Sequence, residues 1–174
     1  MNFFEFFGLP ERFILDEGQL RKAFYANSKK YHPDFYTMES EAKQAEVLEL
    51  STLNNQAWQT LSDVDKRMKY ILELHGMWEE EGQNTLPTAF LAEMMDFNEA
   101  VMELEFDNTP EQYRQIQHQL QGLEQELWDE IAPALEAYRG ENADVAILMK
   151  VKEYFLKKRY LLRIRETLSN FAPL

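Results

Sequence analysis

The sequence predicts an all-α chain built in two helical parts. Apolar residues recur at three- and four-residue steps along nearly the whole length, glycine and proline are scarce at six each, and β-branched runs are absent. A length of 174 residues fits one medium domain or two small ones. The break at residues 76–87, with two glycines, three consecutive glutamates and a closing proline, divides it into parts of 1–75 and 88–174.

The first strong element lies at residues 20–31, where Leu20, Ala23, Phe24, Asn27 and Tyr31 form one helical face and Asp16 stands in N-cap position. Pro33 ends it, because proline restricts the preceding residue and donates no amide hydrogen. His32 and Asp34 therefore flank a stiff turn and are expected in solvent, and a new helix starts after Glu39 and Ser40. Beyond the break, one helix is expected from about residue 87 to 106, with Phe90, Met94, Phe97, Val101 and Leu104 as its core seam. Thr109 and Pro110 give a cap and a first-turn proline. Tyr113, Ile116, Leu120, Leu123, Leu127 and Ile131 then alternate three- and four-residue steps, and Pro133 is expected to kink or shorten that helix. Gly140 and Asn142 mark the next turn. Leu148, Val151, Phe155 and Leu162 open the last helix, and Leu161, Ile164 and Leu168 continue it. Three amphipathic helices with short connections predict an antiparallel bundle.

Charge is uneven. The chain carries 31 acids against 18 bases, a net of -13, yet residues 18–33 hold Arg21, Lys22, Lys29 and Lys30 and no acid. A cationic helix on an anionic protein is a docking face for an acidic partner. The acidic balance excludes nucleic acid as the main partner. With no cysteine, the chain can form no disulfide, thiolate metal site or cysteine nucleophile, and no iron–sulfur cluster is expected on it. No apolar run approaches the ~20 residues that span a bilayer, and the first residues lack the pattern of a signal peptide, so no membrane association and a cytoplasmic location are expected. The three histidines, His32, His75 and His118, come with no Gly-rich loop or oriented nucleophile, so neither an enzyme, a metal site nor a cofactor is expected.

Residues 1–75 resemble the J-domain of the HscB family of co-chaperones for iron–sulfur cluster assembly. The opening Asn2-Phe3-Phe4-Glu5-Phe6-Phe7-Gly8-Leu9-Pro10 is similar to the family's aromatic-rich start, and Tyr31-His32-Pro33-Asp34 follows at the expected distance. Asn55-Gln56-Ala57-Trp58-Gln59-Thr60-Leu61, Arg67-Met68-Lys69-Tyr70 and Tyr70-Ile71-Leu72-Glu73-Leu74-His75-Gly76 continue the likeness. Thr88-Ala89-Phe90-Leu91 is similar to the start of the family's C-terminal domain. Two departures stand out: Asn54 where an aliphatic residue is usual, expected to loosen its helix, and Val64 where proline is common.

The resemblance implies a J-domain of a short helix plus an antiparallel helix pair, followed by a C-terminal three-helix bundle. It implies that His32, Pro33 and Asp34, with Arg21, Lys22, Lys29 and Lys30, engage a DnaK-type (HscA-like) ATPase chaperone. It also implies that the second part holds an iron–sulfur cluster scaffold protein through Leu91, Met95, Asp96 and Glu99, joined by Tyr154 or Phe155 from the last helix. Helical geometry sets Leu91, Met95 and Met102 in a stripe beside the core seam, either as a binding face or as a wider contact between helices. The alternatives are a J-protein serving a different client and a non-catalytic helical adaptor.

Overall fold

The structure, a computed structural model, describes residues 1–78 and 85–172; most of the acidic stretch read as a connection, residues 79–84, lies outside them. The described residues form seven α-helices and two 3-10 turns with no strand. They divide into two compact units, one of Met1–Leu74 with Tyr138–Asp144, the other of His75–Ala137 with Val145–Leu174.

In the first unit each helix start is set by a local signal. Helix α1, Phe3–Phe7, opens with a capping box in which the Asn2 side chain accepts from the Glu5 amide and the Glu5 carboxylate accepts from the Asn2 amide, each at 2.9 Å. It stops at Gly8, whose φ of 65° a side chain would disfavour. Helix α2, Glu17–Lys30, is capped by Asp16 as expected, with Oδ1 accepting from the Gln19 amide at 2.8 Å. Helix α3, Glu41–Leu61, is capped by Ser40. Helix α4, Val64–Leu74, starts on Asp63, whose carboxylate accepts from the Asp65 and Lys66 amides. That cap works with Val64 in place of a first-turn proline.

Helices α2 and α3 run antiparallel, with Phe24 stacked on Trp58 at 4.8 Å. Asn54, where the sequence predicts looser packing of α3, is tied to α2 by hydrogen bonds. It is buried, and its Nδ2 donates to the Phe24 carbonyl at 3.2 Å and to Ser28 Oγ at 3.1 Å. The Ser28 hydroxyl donates to that same carbonyl at 2.8 Å. The Asn54 Oδ1 is buried without a partner, so the amide joins the two helices through its donor side alone.

Arg67 of α4 is the buried charge of the unit. Its Nε donates to the Phe13 carbonyl at 2.9 Å, and its Nη1 donates to the carbonyl of Leu61 at the end of α3. The second bond supplies a donor where a helix end lacks one. Burial pushes the guanidinium pKa down, opposed by Glu17 and Asp63. Phe13 packs against Tyr138 with ring centroids 4.6 Å apart, and the Tyr138 hydroxyl donates to Glu11 at 2.7 Å. The Gly140 amide donates to the Glu11 carbonyl at 3.2 Å, so close that a Cβ at Gly140 would lie 2.5 Å from that of Glu11. Only glycine fits there.

The second unit contains α5, Thr88–Glu103, α6, Pro110–Ala137, and α7, Val145–Ser169. The expected core seam of α5 is buried throughout and meets Ile116 and Leu120 of α6 and Leu161, Ile164 and Leu168 of α7. Thr109 caps α6, accepting from the Gln112 amide at 3.2 Å. Two bridges give the chain directions: Arg165 donates from Nε and Nη2 to the two carboxylate oxygens of Glu124, and Trp128 meets Tyr154. Residue numbers fall along α6 as they rise along α7, so the two are antiparallel. Pro133 does not shorten α6, which continues to Ala137. Leu162 is exposed rather than core-facing, because at about 100° per residue it is turned well away from the face that Leu161, Ile164 and Leu168 bury. Trp78, within the stretch read as a connection, is buried against Phe155 at 5.1 Å, with the Arg159 guanidinium over its ring at 5.3 Å.

Candidate partner-docking sites

The end of α2 builds the first site. After Lys30 the chain turns through Tyr31 into a 3-10 turn, Pro33–Tyr36, with His32 as its N-cap and Pro33 as its first residue. Pro33 suits that position because its missing N–H would have no partner there. The tripeptide is exposed: the His32 side chain is 52% accessible and that of Asp34 84%. His32 Nδ1 accepts from the Asp34 amide at 3.3 Å. The Asp34 carboxylate lies 3.7 Å from the same nitrogen. The corner offers outward an imidazole edge and a carboxylate on either side of a fixed ring.

The loop is pinned from behind. The Tyr36 hydroxyl donates to the Lys30 carbonyl at 2.6 Å. Gln44 Nε2 donates to the carbonyls of Glu39 at 2.9 Å and Thr37 at 3.3 Å. Neither residue was legible as a site component, since tyrosine and glutamine carry no such signal in sequence. Arg21, Lys22, Lys29 and Lys30 are all exposed, and none is ion-paired among the described residues; the Lys30 ammonium lies over the Tyr31 ring at 5.1 Å. Tyr25, also exposed, falls one turn from both Arg21 and Lys29 on the same face.

The second site lies on α5. Leu91, Met95 and Met102 are exposed at 42%, 70% and 63%, so this stripe does not widen the contact between helices. Asp96 and Glu99 are exposed beside it. The structure separates Tyr154 and Phe155 from that surface. Both are buried, Tyr154 against Trp128 and Phe155 against Trp78, because their positions on α7 face the interior of the second unit. The α7 aromatic that reaches the edge of the stripe is Tyr160, which accepts from Asn98 Nδ2 at 2.6 Å and lines a shallow groove with Met102 and Arg163. Sequence reading passed over it because Tyr160 is off the apolar rhythm of α7.

Among the described residues no group of three or more His, Asp or Glu side chains gathers in metal-binding geometry, and no helix is long and apolar enough to cross a membrane.

Comparison with known proteins matches residues 2–70 to the DnaJ domain and residues 86–169 to the HSCB C-terminal oligomerisation domain. The fold is similar to that of the chaperone HscB from Vibrio cholerae, with 23% identity over 98% of this chain and 96% of that one and a TM-score of 0.70. It is also similar to human co-chaperone protein HscB, with 25% identity over 97% of this chain and 81% of that one and a TM-score of 0.74. An exposed His-Pro-Asp corner on a DnaJ domain, followed by a second helical domain, defines a J-domain co-chaperone, a non-catalytic class whose J-domain implies an Hsp70-type partner. With the two matched domains in this order, the chain belongs to the HscB family of co-chaperones.

Proposed function

We propose that this chain stimulates ATP hydrolysis by an HscA-like, DnaK-type chaperone and delivers to it the scaffold protein on which iron–sulfur clusters are built. On this reading residues 1–75 act on the ATPase, residues 88–174 hold the scaffold and residues 76–87 connect the two functions. The observation that carries it is the exposed His32-Pro33-Asp34 corner at the end of a helix whose four bases have no acidic partner among the described residues. Unspent positive charge on an acidic protein steers encounter with an acidic surface. A pinned loop meets that surface without first losing conformational entropy, which favours a specific contact.

The scaffold contact is assigned to Leu91, Met95, Asp96 and Glu99. A stripe of exposed leucine and methionine rimmed by carboxylates supports it, since methionine adapts to an irregular partner surface and the carboxylates set orientation.

The test is single-turnover ATP hydrolysis by a purified HscA-like chaperone, with the chain and a cluster scaffold added singly and together. The expected result is acceleration by the chain and further acceleration with the scaffold. Acceleration indifferent to the scaffold would assign the chain to another client, and no acceleration at all would reject the reading.

A further inference from the structure

Two large apolar side chains stand out beside the His-Pro-Asp corner. Phe35 is 74% exposed and Met38 97%. Single exposed apolar residues are ordinary, but two in one short loop, next to an exposed imidazole, form a patch. The hydrogen bonds of the loop hold both residues on its outer side. The Phe35 amide donates to the His32 carbonyl at 3.1 Å, and the Tyr36 ring is drawn back to Lys30 by its hydroxyl. With Tyr36 held inward, its neighbour Phe35 points out, its ring 5.6 Å from that of His32 and tilted 59° to it. Met38 lies within the stretch that Gln44 clamps through the Thr37 and Glu39 carbonyls.

We propose that Phe35 and Met38 are the apolar anchor of the contact with the DnaK-type ATPase, seated in an apolar recess of that partner bordered by the acidic surface that α2 engages. The inference rests on the proposed function and adds the kind of surface the partner presents. The occupant follows from continuity: the patch shares its ring pair with His32, so whatever covers the tripeptide covers Phe35. It follows also from the arrangement of charge, because an aromatic and a methionine beside exposed cations match the pattern of a desolvated anchor inside a charged rim. The contact then has two separable parts, a salt-sensitive one from Arg21, Lys22, Lys29 and Lys30 and a salt-resistant one from Phe35 and Met38.

The experiment titrates the full chain into a purified DnaK-type ATPase at low and high salt, reading the plateau of stimulation and the concentration giving half of it. The proteins are the wild type, Phe35→Ser with Met38→Ser, and Phe35→Leu with Met38→Leu. The serine variant is expected to raise the half-maximal concentration about tenfold or more at both salt concentrations, with plateau and salt slope unchanged, as loss of an apolar anchor of ordinary strength predicts. The leucine variant is expected to restore most of the affinity. An unchanged half-maximal concentration in the serine variant overturns the inference. So does a lowered plateau at unchanged half-maximal concentration, which would mean that Phe35 only orients His32. Failure of the wild type to stimulate differs from both outcomes and removes the proposed function together with this inference.

Discussion

The hydroxyl of Tyr36 lies 2.6 Å from the carbonyl of Lys30 and donates to it across the His-Pro-Asp turn. Lys30 is the last residue of α2, where helix carbonyls lack intrahelical donors, so this bond both finishes the helix and sets the orientation of the corner that follows. Tyr36→Phe removes one hydrogen bond with little change in shape. Thermal denaturation is expected to show a loss of about 0.5–1.5 kcal/mol, as for one net hydrogen bond. ATPase stimulation is expected to fall severalfold, because a looser corner loses its preorganisation.

His32→Gln and Asp34→Asn are each expected to abolish stimulation of the partner ATPase. Both side chains are exposed and neither belongs to a core, so far-UV circular dichroism and the melting temperature are expected to match wild type within error. Stimulation at wild-type levels by both variants would contradict the role given to the corner.

On α5, Leu91→Ala combined with Met95→Ala is expected to weaken scaffold binding while leaving scaffold-free ATPase stimulation unchanged. Phe155→Ala tests the opposite situation, a buried aromatic. It removes the ring on which Trp78 packs, and a loss of about 3–5 kcal/mol is expected in chemical denaturation. Weakened scaffold binding by Phe155→Ala without any loss of stability would return that residue to the binding surface.

Arg67→Met keeps the volume of the side chain but leaves the Phe13 and Leu61 carbonyls without their donor. The expected cost is about 1.5–3 kcal/mol, as for hydrogen bonds to a charged group, read from urea unfolding of the full chain.

Tyr138 gives a pH prediction. Burial, then the hydrogen bond to Glu11 and the charge of that carboxylate, push its pKa up; burial is also the main cause of the rise at Tyr70. The unfolded tyrosines ionise near ~10, while these two stay neutral to higher pH in the folded chain. Their contribution to stability is therefore complete below about pH 10 and is lost as pH rises through the folded pKa. Melting temperature followed from neutral pH to about pH 11 is expected to fall at the alkaline end, and Tyr138→Phe is expected to flatten that fall.

Much of this was legible in the sequence because it is local. Asp16 and Thr109 cap the helices whose starts they marked, since a cap is satisfied by an amide three residues away. Phe90, Met94, Phe97, Val101 and Leu104 are buried where the helical period put them. The His32-Pro33-Asp34 turn is exposed because a proline-stopped helix end has nowhere else to go. The same period did not say what covers the apolar face of α7. Tyr154 is buried against Trp128 and Phe155 against Trp78, partners that arrive from elsewhere in the chain.

The sequence by itself determined an all-α chain, the caps of α2 and α6 and the polarity of α2, because propensity, capping and charge act between residues a few positions apart. Only the tertiary structure decided that Asn54 is buried and bonded to α2, that Arg67 is buried and that Phe35 and Met38 stay in solvent. Each of those outcomes turns on partners brought close by folding: a backbone carbonyl 30 residues away for Asn54, one 54 residues away for Arg67, and for the exposed pair a loop held by Tyr36 and Gln44. Burial is a property of the packed assembly of elements, and no pattern within one element contains it.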